Sequence, residues 1–120
     1  MTPIQRVEHA LDLLVGRTDL EDPIEVSVSL DVLISALSRA FPKAGARHRS
    51  RSALPSVLES MAATYGLDRS VIPVAQRIND TTRINAYFGT LSRSVVQRLS
   101  DDLREVDRVL RQFLKRQEAG

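Results

Sequence analysis

Four cations fall within nine residues at Lys43, Arg47, Arg49 and Arg51, with Arg39 just before them and Ser52 just after. No other stretch of this chain is better suited to a chemical task. Guanidinium forks and an ammonium group hold phosphate oxygens, and a serine at the start of a helix leaves free amides that add to such a site. The small residues Ala44, Gly45 and Ala46 let the backbone approach a ligand. Contacts of this kind position a nucleic acid backbone without reading its bases. Neutralising about three or four phosphates gives weak, strongly salt-dependent binding. Arg39, Lys43, Arg47, Arg49, Arg51 and Ser52 are therefore the candidate nucleic-acid-binding residues, with Arg69 and Arg77 as additions. DNA and RNA backbones fit this chemistry equally.

The basic stretch has a counterpart. No acidic residue lies between Asp31 and Glu59, whereas residues 1–31 carry Glu8, Asp12, Asp19, Glu21, Asp22, Glu25 and Asp31 against Arg6 and Arg17, a net charge of −5. Docking of the basic loop on an acidic surface, the protein's own or a partner's, is the competing use of these charges. The whole chain carries only +2, so it is not a polyanion binder over its full surface.

Other chemistries find little support. The chain has no cysteine, which removes disulfides, thiolate metal sites and thiol nucleophiles. His9 and His48 are too far apart in sequence to form a local ligand pair. His9 reads as a solvated side chain near Glu8 and Asp12, and the arginines around His48 disfavour a cation. No Gly-x-Ser-x-Gly elbow and no phosphate-binding glycine loop is present. The acid pairs Asp101/Asp102 and Glu21/Asp22 are explained as helix-start charges, and Asn79-Asp80-Thr81 matches a glycosylation acceptor by pattern alone. The five residues Phe41, Tyr65, Tyr87, Phe88 and Phe113 are too few, and too core-like in position, for a base-stacking platform. The expectation is a non-enzymatic protein with no catalytic residue, metal or cofactor.

With 120 residues and 42% hydrophobic content, one domain over residues 1–120 is expected. No basic segment followed by an apolar stretch opens the chain, and no apolar run approaches membrane-spanning length, so a soluble, cytoplasmic protein without membrane contact is expected.

The elements that would position these residues are helices. Thr2, Pro3 and Gln5 form a helix start with a capping box, Ile4, Val7, Leu11 and Leu14 make one face, and Gly16 ends it. From Ile24 to Phe41 two patterns compete. Ile24, Val26, Val28 and Leu30 alternate like a strand, while Val26, Leu30, Leu33, Leu37 and Ala40 follow helical spacing. Asp22, Pro23 and Glu25 resemble a capped start and favour a helix; an extended lead-in with the helix starting at Ser29 is the other reading. Pro42 stops it. A third helix runs from Ser52 to Tyr65, closed by Gly66. A short fourth, capped by Asp68 or Ser70, uses Val71, Val74, Ala75 and Ile78 before a break at Asn79-Asp80.

An alternating stretch followed by a helix, a loop and a second helix opened by Arg51-Ser52 is similar in order to small strand–helix–loop–helix DNA-binding proteins. Glu25 facing DNA, the long loop and the acidic segment before it depart from that pattern, and no family membership is assigned.

Residues 81–118 carry the strongest helical signal, with Ile84, Phe88, Leu91, Val95, Leu99, Leu103, Val106, Leu110 and Phe113 three or four apart and a stutter at Val95, Leu99 and Leu103. An unbroken helix of this length would span about 55 Å, against roughly 35 Å for a compact domain of this size. It must overhang and find a partner, or break at Gly89 or at Ser100-Asp101-Asp102. Phe88, Leu91, Val95, Leu99, Leu103, Val106, Leu110 and Phe113 are accordingly the candidate association residues, for a homo-oligomer or a helical protein partner. The expected fold is all-α, a bundle-like domain of four to five helices with a long C-terminal helix. The expected function is a module contacting a nucleic acid backbone through its basic loop, as a homo-oligomer; the alternative is an assembly or adaptor module associating through the last helix.

Overall fold

The structure is a computed structural model and describes residues 1–45, 53–85 and 91–119. Among these residues every regular element is a helix: α1 (Pro3–Gly16), α2 (Pro23–Ala40), a single turn α3 (Pro42–Gly45), α4 (Leu54–Tyr65), α5 (Val71–Asn85) and α6 (Arg93–Ala119). None of them is long and apolar enough to cross a membrane.

Local chemistry sets most of the boundaries. The Thr2 hydroxyl accepts the Gln5 amide at 3.1 Å and the Gln5 side chain accepts the Thr2 amide at 2.9 Å, a reciprocal capping box at the start of α1. At its far end the Thr18 amide and hydroxyl both donate to the Leu13 carbonyl, each within 3.0 Å. Asp22 caps α2 by accepting the amides of Ile24 and Glu25, and Pro23 occupies the first helical position, where a missing amide costs nothing. The helix that these capping residues favour is the one formed; the other reading, an extended lead-in over residues 24–30, does not hold, and with it goes the likeness to strand–helix–loop–helix proteins. Pro42 ends α2 as expected and then opens α3.

Helix α4 begins at Leu54, two residues later than the sequence implies. Its cap is Ala53, which has no side chain to accept an amide, and Pro55 sits in the first turn. Ser52 itself lies outside the described residues. Gly66 ends α4 at φ 78, the left-handed conformation that glycine adopts without a Cβ clash, and Leu67 folds back onto the Met61 carbonyl.

Helix α5 does not break at Asn79-Asp80. The buried row Val71, Val74, Ala75 and Ile78 continues to Thr82, 6% exposed, whose hydroxyl donates to the Ile78 and Asn79 carbonyls at 3.0 Å. Asp80 points outward and accepts from Gln76 at 3.0 Å, so it disturbs nothing.

The long C-terminal signal resolves into two helices, with α5 ending at Asn85 and α6 starting at Arg93 behind Ser92, whose hydroxyl accepts the Val95 amide. Gly89 falls between them, outside the described residues. Ser100-Asp101-Asp102 is no break; α6 runs through it. Its 27 residues correspond to about 40 Å, close to the 42 Å long axis of the molecule.

The core explains why. Leu91, Leu99, Leu103, Val106, Leu110 and Phe113 are each at most 5% exposed and join Val7, Leu11, Leu33, Leu37, Leu58, Met61 and Ile78 in one cluster. Val95 packs against it, partly buried, and Phe88 lies outside the described residues. The stripe assigned to association is corrected: its described members are buried in the chain's own interior, Val95 only in part, because α1 and α5 pack against α6. At one end Phe41, Tyr65 and Phe113 close the bundle, Phe41 lying 5.0 Å from Tyr65 edge-on and 5.4 Å from Phe113.

Candidate interaction surface on the second helix

Helix α2 is apolar on two sides. Val26, Leu30, Leu33 and Leu37 fill the core at 7% exposure or less, while Ile24, Val28 and Val32 stand 69%, 56% and 44% exposed on the opposite side. Each four-residue step turns the helix by about 40° past a full turn, so these three form one slanting stripe, continued by Ser35 and Arg39. They are three of the five large apolar side chains exposed among the described residues. A contiguous exposed row of this kind is more informative than scattered apolar surface. The same row accounts for the ambiguity of the sequence: Ile24 and Val28 from the outer face interleave with Val26 and Leu30 from the inner face and imitate strand alternation.

Beside the stripe, α1 and α2 enclose a groove of about 500 Å³. Val28, Val32, Ala36 and Met1 form its apolar lining, and Arg6, His9, Asp31, Ser35 and Arg39 its polar edge. The side chains of Arg6, His9, Arg39 and Asp31 engage in no hydrogen bond or ion pair with any described residue.

Charge is graded along the helix. Asp19, Glu21, Asp22 and Glu25 cluster at its N-terminus, and Arg39 and Lys43 sit at its C-terminus, about 27 Å away for 18 residues. Each end complements the helix dipole. The acidic cluster is built: Glu25 accepts the Asp19 amide at 3.1 Å, Asp19 accepts the Glu21 amide at 3.0 Å, and the Leu91 amide donates to the Glu21 carbonyl, tying the cluster to the start of α6. The Glu21 carboxylate points outward, exposed and unpaired among the described residues.

The residues named for nucleic acid divide. Arg39 and Lys43 are exposed at the C-terminal end of α2. Arg47, Arg49, Arg51 and Ser52 lie outside the described residues, as does His48. Arg77 is not free for phosphate: it forks onto Asp102 at 3.0 and 3.3 Å, and this hydrogen-bonded partner raises its already high pKa. Arg69, on the turn before α5, is exposed and unpaired among the described residues.

A second cavity of about 290 Å³, between α2, α4 and α5, is lined by Leu30, Ile34, Leu54, Ile78, Asn79, Thr82 and Arg83 among others. Its Thr82 hydroxyl is already bonded within α5. Among the described residues no group of three acidic or histidine side chains is arranged to hold a metal.

The sequence carries the signal of the α2 stripe, apolar residues at 24, 28 and 32, but Ile24 and Val28 are absorbed into the strand-like alternation and Val32 stands outside both patterns, so the outer row is not recognised there. No protein-family model, no curated protein and no solved structure matches this chain.

Proposed function

We propose that the protein is a non-enzymatic association module whose contact surface is the outer face of α2. One observation carries this reading: Ile24, Val28 and Val32 form an exposed apolar row on a helix whose core face is already complete. Leaving that row in water gives the isolated fold nothing, and covering it removes apolar surface from solvent at roughly 25 cal/mol per Å². The unpaired Arg6, Arg39 and Glu21 around it supply orientation more than affinity.

Because the chain has no cysteine, an environment-sensitive fluorophore can be placed on this face alone through Ser35→Cys. Emission should shift to the blue when the labelled protein meets a partner that covers the stripe, and the shift should vanish when Val28 and Val32 are replaced by serine. An emission spectrum unmoved by the protein itself, by clarified lysate, or by nucleic acid would refute the reading.

The unpaired cations support a second reading. Arg39 and Lys43 continue in sequence into Arg47, Arg49 and Arg51, and this set contacts a nucleic acid backbone. Each phosphate contact adds about 0.9 to the slope of log affinity against log salt on duplex DNA. Replacing Arg47, Arg49 and Arg51 by glutamine should then flatten that slope by about 3. An unchanged slope, or no binding at low salt, would remove it.

A further inference from the structure

Resting on the reading of α2 as a contact surface, we infer that its occupant is a second copy of this chain, paired antiparallel across a two-fold axis near Leu30. The inference joins two independent features of one helix face: an apolar row in its first two-thirds, and opposite charges at its two ends.

A face that is acidic at one end and basic at the other is complementary to itself only when turned around. A parallel arrangement would set Arg39 beside Arg39 and Glu21 beside Glu21. A two-fold axis perpendicular to the helix uses the same patch on both subunits and reverses one of them, so every favourable pair occurs twice.

The register follows from the residues. Along α2, residues whose numbers sum to about 60 lie opposite one another, which sets Val28 of one copy beside Val32 of the other and Ile24 against Ala36 and Ser35, and brings Arg39 to the acidic turn, Glu21 included, that precedes Pro23 of the other copy. The groove contributes in the same sense. Arg6, which lines it together with Arg39, comes to the acidic end of the other copy, near Glu21 and Glu25. Met1, 76% exposed at the groove, gains an apolar surface to lie on. An axis at the level of Val28 would carry Arg39 further beyond the N-terminus of the other copy's α2, which begins at Pro23, so the register centred near Leu30 is preferred.

One group opposes the pairing. Asp31 is exposed and close to the axis, so its two copies approach each other with like charge. A single helix face with a groove at its side is smaller than the roughly 800 Å² per partner of a standard interface. A reversible dimer with a dissociation constant of about 10 µM to 1 mM is therefore expected, not a permanent one.

Sedimentation equilibrium on the full chain, from about 5 µM to 1 mM, tests this through charge exchange. Arg39→Glu and Glu21→Arg should each weaken the dimer by about tenfold or more, since each creates two like-charge contacts. The double variant Arg39→Glu with Glu21→Arg should recover the wild-type constant to within about threefold, because the pairs are restored with their signs exchanged. Asp31→Asn should tighten the dimer. All three positions are exposed, and circular dichroism verifies that each variant keeps its helix content. A wild-type chain that stays monomeric over the whole range, a double variant weaker than either single one, or a mass increase seen only on adding a DNA duplex would overturn the inference. If the wild type is monomeric yet the Ser35→Cys label still shifts with another protein, the second copy is excluded while the contact surface stands.

Discussion

Adjacent residues on α2 make the sharpest contrast at the residue scale. Leu33 is fully buried and Val32 is 44% exposed, one step along the same helix. Leu33→Ala should cost about 2–5 kcal/mol in urea unfolding, through lost burial and the cavity left behind. Val32→Ala in dilute protein should stay within about 0.5 kcal/mol of wild type. Equal losses at both positions would mean that the outer face is structural. A second residue-scale effect concerns acid. The Ser70 amide, donating to Asp68 at 2.9 Å, holds the Asp68 carboxyl below its ordinary 3.8, helped by the Ser70 side chain and the more distant charges of Arg116 and Arg108. A carboxyl whose pKa is lowered by folding binds its proton more readily in the unfolded chain. Its contribution is complete above pH 3.8 and is lost as pH falls through the lower, folded value. Glu105, held down mainly by its hydrogen bond from Arg108, behaves in the same direction. Asp68→Asn should therefore lose less stability than wild type between about pH 5 and pH 2.5, measured by thermal melts across that window; parallel melting curves would contradict the assignment.

Among the elements, α6 is the one whose role changes most. Its apolar row would make a free association stripe only if nothing else covered it, and α1 and α5 cover it. Leu103→Lys or Leu110→Lys should therefore unfold the domain instead of releasing folded subunits, because each buries a charge in a core that offers no partner. Circular dichroism should show helix loss; a fully helical monomer would restore the association stripe. Asp12 and Asp107 both pair with Arg111, where burial that lowers its pKa is outweighed by these two carboxylates, so α6 is also tied to α1 at its surface. Much of this architecture was legible in the sequence. Thr2, Pro3 and Gln5 marked the start of α1, Asp22 and Pro23 that of α2, and Gly66 the end of α4, since caps are short-range chemistry. What was not legible depended on neighbours. Asn79 and Asp80 look like a break until the burial of Thr82 shows the apolar face running on. The row at 24, 28 and 32 looks like strand alternation until the core is seen to use the other side of the helix. Whether the 81–118 stripe faces a partner or the chain itself is decided by tertiary packing, which periodicity does not encode. The basic loop at 46–52 lies outside the described residues.

At the scale of the molecule, the segregation of charge in the sequence becomes a direction in space: α2 carries acid at one end, base at the other and an apolar row between. Such a face supports association that is specific in orientation and modest in strength. Binding between folded copies also stabilises the fold by mass action, so a dimer makes the melting temperature depend on protein concentration. The most direct test of the account compares thermal unfolding of the wild type and of Ile24→Ser/Val28→Ser/Val32→Ser from dilute to concentrated solution. The account predicts that the wild-type midpoint rises by about 3–6 °C over that range, while the triple variant melts at the dilute wild-type value throughout. A wild-type midpoint independent of concentration, or a triple variant that melts far below it even in dilute solution, would contradict the claim that this face serves association and not the core.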